Sequence, residues 1–148
     1  MKGTYQYDAR EQSYTLSGSG YNIWFNRDEF QFLHTRLGGD FILTANFAFT
    51  SPGGDPHKKT GWMIRESLED NAAHASATRH ADGLTALQWR VMRGAYMRDP
   101  EDQFISPKKH TQVIQLERKG KTVIMRVANP GEPLQLVGMQ VMKDLPDS

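Results

Sequence analysis

Four side chains of matching chemistry fall at positions that alternate with apolar residues: Gln31, Arg65, Gln88 and Arg90. In Gly61 to Glu66 a period of two puts Trp62 and Ile64 on one face and Met63 and Arg65 on the other. In Thr85 to Val91 the same period groups Leu87 and Trp89 as core and turns Gln88 and Arg90 away. In Glu29 to Thr35, Phe30 and Phe32 are core, which leaves Gln31. The four polar residues are therefore expected on one shared face. Amide and guanidinium donors suit sugar hydroxyls or a carboxylate, and arginine offers a planar fork. The competing reading of Arg65 is an ion pair with Glu66, Glu29 or Asp28 that holds strands in place. Trp24 precedes the Asp28-Glu29-Phe30 segment, where an indole either stacks on a sugar or plugs the end of a sandwich.

Catalytic and metal signals are sparse. A retaining glycosidase needs two carboxylates about 5–5.5 Å apart. Glu66-Ser67-Leu68-Glu69-Asp70 runs into a turn with the wrong spacing, so no catalytic residue is assigned; Glu29 and Glu66 remain the candidate pair for a glycoside hydrolase-like alternative. No nucleophile elbow, phosphate loop or dinucleotide fingerprint is present. The five histidines, His34, His57, His74, His80 and His110, lack zinc spacing. His34 alternates with phenylalanines and reads as a core histidine. Calcium stays possible as a cofactor, because Asp40, Asp55, Asp70, Asp82 and Asp144 lie in turns, but none forms a helix-loop-helix calcium pattern.

The elements that must position these residues read as short strands between turns. Ser13 to Leu16 follows a polar turn at Asp8 to Glu11, and Ser17 to Gly20 is a loop. Phe41 to Phe49 is the clearest strand, with Phe41, Leu43, Ala45, Phe47 and Phe49 on one face. Ser51 to Thr60 is an exposed loop, and Ala72 to Arg79 is assigned to a strand despite its alanines. Arg93 to Lys109 is irregular. Val113 to Val127 is a hairpin about Lys119-Gly120, and Leu134 to Met142 is a further strand. The whole is an all-β chain, a two-sheet antiparallel sandwich.

At 148 residues the chain suits one domain that buries roughly two thirds of its unfolded surface. A formal charge of +1 offers no reason to expect a nucleic-acid partner, and no apolar run is long enough for membrane insertion. With no cysteine, disulfides and thiolate chemistry are excluded. No apolar signal-peptide core follows Met1. Lys143 to Ser148 reads like a loop between strands, so residues 1–148 are expected to be one domain cut from a longer chain and truncated at the C-terminus before its last strands.

Ser17-Gly18-Ser19-Gly20, Asn22-Ile23-Trp24, Asp28-Glu29-Phe30, Gly39-Asp40-Phe41 and Gly61 with Met63-Ile64-Arg65-Glu66-Ser67 together resemble the concanavalin A-like lectin/glucanase superfamily. The closest look is to its bacterial domain that also occurs appended to TolB-like β-propellers. The likeness runs from about Tyr7 to Val127. It implies a jelly-roll sandwich and an extracytoplasmic setting in an exported multidomain protein. It also implies a noncatalytic, lectin-like module whose glycan or polysaccharide partner lies on the concave sheet, around Gln31, Arg65, Gln88 and Arg90 with Trp24. The glucanase branch of the superfamily carries Glu-x-Asp-x-x-Glu on one strand, and that string is missing here. A structural or protein-docking sandwich without a glycan is the remaining alternative.

Overall fold

A computed structural model describes residues 2–147. Among them no helix forms; ten strands build three antiparallel sheets. Strands β1 (Thr4–Asp8) and β2 (Ser13–Ser17) make a separate hairpin. Strand β3 (Phe41–Asn46) pairs with β8 (Val113–Lys119), which continues through β9 (Thr122–Ala128) to β10 (Gln135–Val141). The other large sheet is a meander of β4 (Lys59–Arg65), β5 (His74–His80), β6 (Thr85–Arg90) and the short β7 (Gln103–Ile105).

The two four-stranded sheets pack face to face as a sandwich. Ile64, Ala75, Ala77, Leu87 and Trp89 from one sheet meet Ile114, Leu116, Val123, Met125 and Val127 from the other. Met142 and Leu145, beyond β10, complete the same cluster. Alternation explains the choice of residues, since each strand sends every second side chain inward. The alanines of β5 belong here: Ala75 and Ala77 are fully buried between Ile64 on β4 and Leu87 and Trp89 on β6, where a larger side chain would not fit.

Two glycines are required by the backbone. Gly120 opens the two-residue turn between β8 and β9 with φ +60°, the conformation a type II′ turn demands at its first position. Gly61 sits inside β4 at φ +155°, and a Cβ there would run into the backbone carbonyl of Ala77 on the neighbouring strand.

Three expectations need correction. Residues 29–35 form no strand, because among the described residues no neighbouring strand pairs with them; the Glu29 amide donates instead to the Asn22 carbonyl at 2.9 Å. Alternation there aligns Phe30, Phe32 and His34, whose rings follow one another at 5.4 Å, but His34 is exposed and stacked on Phe32, not in the core. Residues 103–105 form β7 inside the stretch read as irregular, and residues 4–8 form β1 where no strand was assigned.

Candidate functional site

The outward face of the β4–β7 sheet carries Arg65, His74 and Arg90 in one row, then Met63, Ser76, Gln88 and Gln103 in the next. Three of the four expected ligand residues, Arg65, Gln88 and Arg90, thus share this face. It is not open to solvent. Segment 22–30 lies across it: Asn22 Oδ1 accepts from Lys59 Nζ at 2.9 Å, the Phe25 carbonyl accepts from Arg90 at 2.8 Å, and the Phe30 ring lies 5.2 Å from the Arg65 guanidinium carbon.

At the centre of this cover stands Asp28. Its Oδ2 accepts from both Arg65 Nη1 and Arg90 Nη1 at 2.7 Å, and its Oδ1 accepts from Arg90 Nη2 at 2.7 Å. Arg90 spends its remaining donors on the carbonyls of Ala95, Ala72 and Phe25, so all five N–H groups are engaged inside the protein. Arg65 gives its others to the carbonyls of Ser67 and Glu69 and to Met63 Sδ. Both side chains are almost wholly buried. Of the readings open for Arg65, the geometry realises the pair with Asp28.

Burial pushes the Asp28 carboxyl up, but hydrogen bonds from Arg90 and Arg65 outweigh it and leave the group below its ordinary value. His74 Nε2 lies 3.8 Å from Asp28. Burial depresses that imidazole to about 3 despite the nearby carboxylate. The ring is therefore neutral at pH 7, and the arginines, not His74, hold Asp28 ionised. At the other end of the face, burial and then Lys59 depress His80 to about 4. Among the described residues, neither nitrogen of His74 or His80 has a hydrogen-bond partner, nor does Thr78 Oγ1 or Gln88 Oε1.

The other expected site residues are dispersed. Gln88 Nε2 donates to Gln103 Oε1 at 3.0 Å and is buried. Gln31 lies apart from the arginines, wedged against Gly3 and Gly18 beside the β1–β2 hairpin. Trp24 is half-buried within the covering segment. Glu29 is paired with Arg27 and exposed, and that hydrogen bond holds its carboxyl below the usual range, opposite to what a general acid needs. Glu66 pairs with Arg93 at 2.8 Å. Among the described residues no three His, Asp or Glu side chains gather where they would hold a metal ion.

An open surface exists elsewhere. A cleft of about 560 Å³ is lined by Tyr5, Tyr7, Tyr14, Leu33, His34, Thr35 and Trp62. The hairpin register places Tyr7 opposite Tyr14 and Tyr5 opposite Leu16, so one face is aromatic and apolar. Thr4, Gln6, Asp8, Ser13, Thr15 and Ser17 occupy the other face. The Tyr7 and Tyr14 rings lie 4.6 Å apart, tilted by 32°. All three tyrosines are more than half exposed. Trp62 forms the far wall from edge strand β4; its N–H is spent on the Ile114 carbonyl at 3.0 Å, and Phe47 packs edge-on to it at 5.4 Å. The indole therefore offers only ring surface, held rigidly. A smaller cleft of about 240 Å³ lies among Tyr21, Asn22, Phe25, Arg27 and Glu29.

No protein-family model matches the sequence, and no curated protein and no solved structure matches the chain. The tyrosine cleft went unnoticed in the sequence because β1 did, although Tyr5 and Tyr7 alternate with Gln6 and Asp8 ahead of a tight polar turn.

Proposed function

We propose that this chain is a noncatalytic carbohydrate-binding module of concanavalin A-like type, and that its glycan sits in the tyrosine cleft. One observation carries the reading: three exposed tyrosines, a fixed tryptophan face, Thr35 and His34 line one open cleft. Aromatic faces stack on the apolar faces of sugar rings, while phenol, hydroxyl and imidazole groups supply hydrogen bonds to sugar hydroxyls. Arg65 and Arg90, whose donors are engaged by Asp28 and backbone carbonyls, serve the scaffold in this proposal. The exported, multidomain bacterial setting is part of the same proposal and rests on the sequence resemblance.

A glycan-array screen of the purified protein, with and without calcium, tests it. A Tyr7→Ala/Tyr14→Ala variant should retain its circular dichroism and melting transition and lose at least about tenfold in affinity, on the scale of aromatic contacts. Silence across the array from folded protein would overturn the proposal, and so would binding that the double variant keeps but Gln88→Ala abolishes.

A further inference from the structure

We infer, building on the carbohydrate reading, that the cleft selects an uncharged glycan and holds at least two consecutive sugar units along β1. The charge argument comes from the lining. None of its seven residues is Asp, Glu, Lys or Arg. A uronate or sulfated sugar would surrender part of its hydration there and meet no lysine or arginine, which is unfavourable for a charged group. The arginine forks that would suit an acidic sugar, Arg65 and Arg90, are buried and committed to Asp28. Asp8, the acid within the hairpin strands, belongs to the opposite face and caps its own turn by accepting from the Arg10 amide at 2.9 Å.

The length argument comes from the strand. Tyr5 and Tyr7 leave β1 on the same side, two residues apart. That spacing is about 7 Å along an extended chain, so two aromatic platforms stand side by side beneath one oligosaccharide. Tyr14 thickens the second platform from the partner strand. The platforms lie in an open cleft, so a chain can extend past both.

Isothermal titration with gluco-oligosaccharides, from glucose to cellohexaose, and with oligogalacturonates of equal length tests both halves. The neutral series should gain about tenfold in affinity between one and two units. Tyr5→Ala should abolish that gain, and Tyr5→Phe, which keeps the ring, should restore it. Raising salt from about 0.05 M to about 0.5 M should change neutral binding less than about twofold, since no charge is screened. Preference for the uronates, or binding that collapses with salt, would overturn the neutral specificity while leaving carbohydrate binding standing. An affinity flat with length would overturn the two-unit register. If neither series binds and the glycan array is also silent, the carbohydrate reading itself fails, and this inference with it.

Discussion

Asp28 shows how one carboxylate decides whether a sheet face is open or closed. It anchors segment 22–30 to β4 and β6 through two buried arginines. Removing one charge from such a cluster strands the others without water, so Asp28→Asn should cost about 3–5 kcal/mol in urea unfolding. A loss below about 1 kcal/mol would show that water reaches the guanidinium groups. The buried histidines make a separate prediction at this scale. Their folded values, about 3 for His74 and about 4 for His80, lie below 6.5, so the unfolded chain binds protons first as pH falls. Stability is fully present above about pH 6.5 and declines through the acid range by up to about 1.4 kcal/mol per pH unit for each histidine. Urea melts at pH 7 and near pH 4.5 should differ accordingly, and a His74→Leu variant should flatten the slope. Asp28 adds its own loss only lower, as pH falls through its depressed value. The sequence offered Asp28 as one of three partners for Arg65. Choosing among them needed the path of segment 22–30, which no local pattern encodes.

At the scale of elements, period-two alternation recovered strands whose two faces differ and failed where faces or partners were unusual. Strand β3 was legible because Phe41, Leu43 and Ala45 turn inward while Ile42, Thr44 and Asn46 face out. Residues 29–35 alternate as well, yet without a neighbouring strand among the described residues alternation alone does not make a strand. Strand β7 is only three residues long and pairs with β6 alone, too short to leave a periodic trace. The polar face of β4–β6 read as a solvent-facing surface because sequence cannot show that another segment covers it. Gly61 carries an element-scale prediction. Gly61→Ala puts a methyl group against the Ala77 carbonyl at a φ that side chains resist, so β4 must shift from β5. The expected cost is about 2–3 kcal/mol, read as a lowered melting midpoint. Gly131→Ala, at a position with open space around it, should cost less than about 2 kcal/mol. Equal effects at both positions would mean that the close approach of β4 to β5 contributes nothing.

The whole molecule divides into a sandwich that carries the stability and a hairpin that carries the aromatic surface. Every residue of β1 and β2 is exposed, and none belongs to the core cluster between the sheets. An isolated two-stranded hairpin is marginal in water, and the Tyr7–Tyr14 pair adds no more than about 1 kcal/mol. Deleting residues 1–17 should therefore leave one cooperative unfolding transition, with a midpoint within about 5 °C of the full chain. In hydrogen exchange of the intact protein, the amides of β1 and β2 should open at far lower free energy than those of β5, β6, β8 and β9. If the truncated chain instead loses cooperativity, the hairpin is part of the scaffold and its tyrosines are explained by stability. If it folds normally and no longer binds glycans, the three tyrosines have no structural work in the sandwich. Their exposure then follows from recognition: a face that contributes no burial to folding is free to keep its aromatic rings bare for a ligand.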